Sequence, residues 1–370
     1  MGNDVEYYLK SLLRCPITKG ALREMSPDEI DKANSRIADG SLLCCDGTAA
    51  SRKLAAACVS ADERYAYRID DGIISLLPVL ALVLSDTDID KVEEYALRRE
   101  KIETRNFYDQ SGWKSDGKGV FVDTKRFEDL RPVSRDYVHN SHLRVKKQIA
   151  NGGRYLLDVA CGPVQYPEYI DYSENYDYRV CVDISVAALK EAQKRIGDKG
   201  IYVIGDITNL PLNDNVVDSV ISLHTIYHVP ADEQARAFRE IYRVLCPGGK
   251  GVVVYSWGRH SLLMCLLFFP YYFVRPIVRL VRTTPRLLRK AKANHILYFY
   301  PHGPKWFVNQ DWEFEYEILV WRSVHVPFLK TIIHKWLFGK KVIDWIYSWE
   351  ERHPQRAGQL GYYPLIVIHK

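Results

Sequence analysis

The first ten residues have no apolar core and carry Asp4 and Glu6, so they do not read as a secretory leader. A reduced, cytoplasmic setting is the expectation. No bilayer-spanning run is found either: Ser261 to Val274 holds no charge, but it is too short and Pro270 divides it. Cys-x-x-Cys pairs are absent. The eight cysteines stand at 15, 44, 45, 58, 161, 181, 246 and 265, with two adjacent and the rest scattered. A tetrahedral thiolate site needs four sulfurs at closer, paired spacing, so no metal site is assigned and the thiols are expected to pack as small core residues. Repeats and low-complexity tracts are also missing. What remains is a globular composition: 370 residues, 47% hydrophobic and 26% charged, enough for one large or two moderate domains.

Net charge is a modest +5, but its distribution is uneven, with no Asp or Glu between Glu240 and Asp311. Within that interval the apolar stretch from Ser261 runs into Arg275, Arg279, Arg282, Arg286, Arg289, Lys290 and Lys292. This composition suits an in-plane anchor on an anionic membrane over 261–292. It also suits a lid over a site, or a subunit interface. The interval lacks the interleaved stacking aromatics of a nucleic-acid groove, so nucleic acid is an unfavoured partner.

Three regions follow from the pattern. Residues 1–80 read as a small, separate β-rich module, with strand signals at Leu12 to Gly20, Tyr65 to Arg68 and Gly72 to Leu77, and an insertion over Ser26 to Ser60. Residues 81–150 read as a helical connector or lid, in which Ile89 to Arg105 is a charged, solvated surface helix. Residues 151–370 alternate strand and helix signals: strands at 155–159, 178–182, 201–204, 216–223 and 251–255, then an insertion over 257–300, then late strands at 313–321 and 362–369. Alternation at this pitch predicts an α/β fold with a mostly parallel sheet and helices on both faces.

Five motifs lie in order on that frame: Leu-Asp-Val-Ala-Cys-Gly at 157–162, Val-Asp-Ile-Ser at 182–185, Gly-Asp-Ile-x-x-Leu-Pro-Leu at 205–212, Val-Asp-Ser-Val-Ile-Ser at 217–222 and Val-Leu-Cys-Pro-Gly-Gly at 244–249. Asp183 ends the strand next to that of Asp158, one βαβ step on, where a carboxylate can accept hydrogen bonds from both hydroxyls of a ribose. The set resembles the class I S-adenosylmethionine-dependent methyltransferases, nearest the ubiquinone/menaquinone-biosynthesis-like group. The resemblance covers about 155–256. It implies a Rossmann-like seven-stranded sheet and S-adenosylmethionine as cofactor. It further implies that Asp158 orients the methionine end, with Ala160 and the Gly162 backbone beside it. Asp183 would hold the ribose, Asp206 would read the adenine amino group, and Ile184 and Ile207 would wall the ring. Ala160 and Val164 replace two glycines of the family turn, and Pro163 removes an N–H donor. The N-terminal module resembles a zinc-ribbon-like domain at Tyr67 to Leu77, with Thr18 where a second cysteine ligand belongs.

Methyl transfer from a sulfonium needs alignment and exclusion of water, and a hydroxyl acceptor needs a base. His224, first, and His228, second, follow the fourth strand of the fold, on the acceptor side in the family. Tyr108 resembles an aromatic that covers the donor end. No Asn-Pro-Pro-Tyr or Asp-Pro-Pro-Tyr motif follows that strand, which speaks against amino-nitrogen methylation. The expected activity is O-methylation of a glycan, lipid-linked or other small acceptor. The alternatives are a soluble natural-product or quinone-type methyltransferase and an inactive, cofactor-binding regulator.

Overall fold

The computed structural model describes residues 2–85, 97–109, 113, 127–269 and 297–370. Most of the segment 261–292, with its basic run, lies outside these; only 261–269 is described.

The strands are β1 (Leu22–Glu24), β2 (Leu43–Cys44), β3 (Ala56–Ser60), β4 (Tyr65–Asp70), β5 (Ile73–Ser75), β6 (Leu82–Val83), β7 (Gly153–Val159), β8 (Tyr176–Asp183), β9 (Gly200–Ile204), β10 (Val217–Leu223), β11 (Leu245–Val254), β12 (Glu315–Arg322) and β13 (Tyr363–His369). They form one sheet in the order β1-β3-β4-β5-β9-β8-β7-β10-β11-β13-β12, with β2 and β6 attached beside β4. From β9 to β11 the pairing is parallel; β13 runs antiparallel to both β11 and β12. Parallel strands covered on both faces read as near-continuous apolar runs. Alternation sends Leu157 and Val159 to one face, with Phe238 and Ile241 of the helix Gln234–Val244. Leu156 goes to the other, with Leu189 and Ala192 of the helix Val186–Ile196. Each such Val, Leu, Ile or Phe, fully buried, contributes ~1.5–3 kcal/mol.

The expected α/β sheet is present, but its extent differs from expectation. The seven strands β9-β8-β7-β10-β11-β13-β12 continue through β5 into the N-terminal strands, so the sheet has thirteen strands among the described residues. Ile73, Ile74 and Ser75 pair in parallel with Tyr202, Val203 and Ile204. Leu13 bridges Leu212, and the Arg14 N–H donates to the Pro211 carbonyl at 3.0 Å. The N-terminal region is thus joined to the main sheet rather than set apart from it. Leu12 to Gly20, expected as a strand running into a turn, keeps the turn but reduces the strand to the single bridge at Leu13: Pro16 has no N–H to give a ladder, and the Lys19 N–H closes back on the Cys15 carbonyl at 2.9 Å.

Of the solvated helix expected over Ile89 to Arg105, residues 89–96 lie outside the described residues, and the described part is not solvated throughout. In the helix Arg99–Phe107, Lys101, Thr104 and Phe107 are buried. Among the described residues no helix is long and apolar enough to cross a membrane.

Candidate functional site

The site is built where β7 and β8 end side by side. After Val159 the chain enters the left-handed region three times in five residues, at Ala160 (φ +54°), Gly162 (φ +56°) and Val164 (φ +52°). Only glycine adopts this conformation freely, so the two substituted positions keep the glycine backbone at a steric cost. The turn is tied to the next strand: the Ala160 and Cys161 N–H groups both donate to the Val182 carbonyl, at 2.6 and 3.2 Å. Bending this way aims the Gly162 N–H at Asp183 Oδ2, 2.9 Å away.

Asp183 also accepts the Ser185 N–H at Oδ1, 2.8 Å. Ser185 caps the helix Val186–Ile196, its hydroxyl accepting the Ala188 N–H at 3.1 Å. Burial pushes the Asp183 carboxyl up to about 6, against the downward pull of its two backbone donors. Asp158 points elsewhere: its Oδ2 accepts from Arg179 Nε and Nη2, and Arg179 also donates to the Tyr169 carbonyl. Both partners are buried. Burial pulls the Arg179 guanidinium down, but the Asp158 carboxylate outweighs it and holds the cation above its ordinary value. Arg179 was not legible as a partner, because strand periodicity shows only a charge between apolar neighbours.

Above the ends of β7, β8 and β9 lies a small cleft, partly open to solvent. Ala160, Ile184, Asp206, Ile207, His228 and Val229 line it. Lys101 and Thr104, from the helix Arg99–Phe107, line it as well. Lys101 Nζ donates to Asp206 Oδ2 at 2.6 Å and to Thr208 Oγ1 at 2.8 Å, and lies 2.6 Å from Glu233 Oε2. Asp206 Oδ1 accepts both the N–H and the hydroxyl of Thr208, at 2.9 and 3.0 Å. Every oxygen of the carboxylate therefore carries a donor. Residue spacing held no signal for Lys101, whose partners come from distant parts of the chain.

Of the two histidines, His228 lines the cleft and His224 does not. His228 Nδ1 lies 2.6 Å from the Tyr298 carbonyl. A carbonyl only accepts, so Nδ1 carries the proton and Nε2 keeps its lone pair. Burial pulls this imidazole down to about 4. His224 sits edge-on to Trp321 (ring centroids 4.5 Å apart) and Tyr363 (5.2 Å), and burial lowers it well below its usual range. Tyr108 stacks on Trp113 at 4.6 Å and meets His228 edge-on at 6.5 Å. The Trp113 ring covers Gly162, where an added Cβ would come within 3.2 Å of it. Trp113 was missed in the sequence, where it stands in a glycine-rich stretch without periodicity.

Comparison with known proteins concentrates on the same part of the chain. Residues 157–253 match a family model described as a methyltransferase domain. Among curated proteins, an uncharacterized methyltransferase, YdaC, of Bacillus subtilis is 34% identical over 104 residues, covering 27% of this chain and 55% of its own length. A phthiotriol/phenolphthiotriol dimycocerosates methyltransferase of Mycobacterium tuberculosis is 28% identical over 153 residues, covering 40% of this chain and 49% of its own. The chain thus spans about half the length of these curated relatives. A solved DhpI–SAH complex aligns with TM-score 0.35 and 18% identity, over 45% of this chain and 74% of that one. Sheet order, cleft and family match together make residues 157–253 similar to the methyltransferase domains of the class I, S-adenosylmethionine-dependent, Rossmann-like type.

Proposed function

We propose that the chain binds S-adenosylmethionine in the cleft above β7, β8 and β9 and directs its methyl group to a hydroxyl of a lipid-linked, glycan or other small-molecule acceptor. The observation that carries this reading is the left-handed bend at Ala160, Gly162 and Val164 with its Gly162 N–H on Asp183. The residues fit the cofactor. Each Asp183 oxygen accepts one backbone donor, and a carboxylate has further lone pairs for a sugar diol. Ile184, Ile207 and Val229 offer apolar walls to a flat ring. Ala160 presents only a methyl group to the cleft, and Asp158 acts at one remove, through Arg179. Asp206 fits the adenine amino group once its Oδ2 is shared with, or released by, Lys101.

When bound, S-adenosylmethionine supplies a methyl group on a sulfonium, already joined to a good leaving group. The chain's own task is alignment and a dry site. Tyr108 and Trp113 form an aromatic cover over the bend. His228 holds its Nδ1 proton on Tyr298 and presents Nε2 to receive the proton of the acceptor hydroxyl. On this reading His228 takes the role of base ahead of His224.

We further propose a peripheral, cytoplasmic protein of the ubiquinone/menaquinone-like group, with 261–292 facing an anionic membrane and a lipid acceptor of the kind named in the mycobacterial relative. The N-terminal region is read as a zinc-ribbon-like remnant without metal. Supporting this, the Tyr67 hydroxyl lies 3.1 Å from Cys15 Sγ and the Thr18 N–H donates to that sulfur at 3.3 Å. A second reading, an inactive cofactor-binding regulator, draws on the occupied Asp206 carboxylate.

Calorimetry with S-adenosylmethionine tests the pocket. Asp183→Ala should weaken binding by about tenfold or more, the value of hydrogen bonds to a charged group. Equal affinity in parent and variant removes the assignment. Transfer of labelled methyl into cell extract, fractionated into lipid, glycan and RNA, tests the acceptor. Binding without transfer into any fraction favours the regulator.

A further inference from the structure

The helix Gly339–Arg352 has two apolar stripes side by side. One, with Ile343 and Ile346, is buried against Phe328, Leu329 and Ile333, and against Met264 and Phe268 around the helix Leu262–Leu267. The other, Phe338, Val342 and Trp345, recurs at i, i+4 and i+7 and faces solvent. Phe338 is 71% exposed, Trp345 64%, and Trp336 just before them 76%. Phe338 is moreover held left-handed at φ +54°, a conformation disfavoured for a residue with a side chain, yet its ring gains no core contact in exchange. A contiguous exposed aromatic stripe of this kind marks a binding surface.

Charge selects the partner. Residues 330–345 carry Lys330, Lys335, Lys340 and Lys341 against one acid, Asp344. All four lysines are exposed. Lys340 reaches Asp344 and Asp136, at 3.1 and 2.8 Å, while Lys341 Nζ stands 5.6 Å over the Phe338 ring. Tryptophan and phenylalanine with flanking lysine are the composition of a helix lying in a membrane interface. There the rings enter the acyl boundary and the ammonium groups meet phosphate. The helix Leu262–Leu267, seated on the same small core, adds Leu266, 77% exposed, and is followed by Phe269 at 57%.

We infer that the outer face of residues 332–345 is an in-plane docking surface for a bilayer containing anionic phospholipid. This deepens the membrane-facing part of the reading above, and it requires neither bound cofactor nor residues 270–296.

The test is flotation of the full-length chain with vesicles of phosphatidylcholine alone or mixed with phosphatidylglycerol. Binding is expected to the mixed vesicles, with tryptophan emission quenched by brominated lipid. Trp336→Ser with Phe338→Ser and Trp345→Ser should lower vesicle affinity by about tenfold or more. Lys335→Gln with Lys341→Gln should lower it by about fivefold per charge removed, on mixed vesicles only. All these side chains are exposed, so the melting temperature should stay that of the parent. Three outcomes overturn the inference: no binding to mixed vesicles; undiminished binding of the aromatic variant while Arg279→Gln with Arg282→Gln abolishes it; or a dimer in the parent that the aromatic substitutions dissociate, which would make the occupant a second copy. Calorimetry of the same proteins with S-adenosylmethionine separates this from the methyltransferase reading, since the surface variants should bind the cofactor as the parent does. A parent that floats but binds no cofactor sinks only the latter.

Discussion

Lys101 Nζ and Asp206 Oδ2 lie 2.6 Å apart, so a lysine from the connector helix occupies the carboxylate proposed to receive the adenine amino group. Both residues are buried, and Glu233 brings a second carboxylate to the same ammonium. An ammonium here is a direct competitor for the ligand's donor. Lys101→Met keeps most of the stem and removes the charge. It should tighten S-adenosylmethionine binding by about tenfold, the worth of one charge-assisted bond no longer broken. Calorimetric titration decides it: weaker binding in the variant means that Lys101 holds Asp206 in register instead.

Asp183 sets a pH dependence. Its carboxyl is raised to about 6 by burial, so it is ionised above that pH and protonated below. Protonation converts an acceptor-only group into one with a competing donor. Cofactor affinity should be flat from pH 8 to 7 and fall as pH drops through about 6, roughly tenfold per unit at the limit of full coupling. The same titration on Asp183→Asn should be flat across this window. A parent curve without an inflection near 6 rejects the assignment.

The strained bend can be relaxed at one position. Ala160 is left-handed at φ +54°, where a Cβ costs about 1 kcal/mol relative to glycine. Ala160→Gly should raise the unfolding free energy by about that amount in urea, less what glycine adds to unfolded-chain entropy. Val164→Gly relieves the same strain but removes a fully buried side chain, and should destabilise by about 1–2 kcal/mol net. Opposite signs for the two substitutions are the outcome to look for.

The two histidines separate by readout. His228→Ala removes a group on the cleft wall and should lower kcat by about 100-fold or more while leaving cofactor affinity within a few fold. His224→Ala empties a space between Trp321 and Tyr363 and should lower stability more than turnover. The reverse pattern returns the base to His224.

How much of this was legible follows from which signals are local. Strands β7 to β11 announced themselves through apolar runs, three of them ending in Asp158, Asp183 and Gly205-Asp206. Pairing between Ile73–Ser75 and Tyr202–Ile204 was not legible, because a three-residue strand carries no mark of a partner so far along the chain. Charged residues misled most. Lys101, Arg179 and Arg322 look like solvated or interrupting charges in a window of sequence, yet each is buried on a carboxylate from elsewhere. A charge pattern predicts exposure only where no such partner arrives. Likewise the exposure of Trp336 and Trp345 was not legible, since composition does not say which of two apolar stripes is covered.

Glu128 and Arg322 offer the sharpest stability test. Arg322 Nη1 and Nη2 donate to the two oxygens of Glu128, at 2.7 and 3.1 Å, and the guanidinium lies 4.5 Å over the Trp321 ring. Both side chains are almost fully buried. Burial pushes the Glu128 carboxyl up, but Arg322 outweighs it and the group is held below its ordinary value. Its contribution is therefore complete above the unfolded-state value, about 4.3, and is lost as pH falls through the lower folded value. Glu128→Gln leaves the guanidinium buried without its counter-charge and should cost about 3–5 kcal/mol. Glu128→Leu combined with Arg322→Met removes both charges and should restore most of that loss, since an apolar pair of similar volume is often no less stable. Urea unfolding of the parent, the single and the double variant at pH 7 gives the comparison. A double variant as unstable as Glu128→Gln would mean that the pair specifies the packing of β12 against residues 127–134, beyond cancelling its own burial.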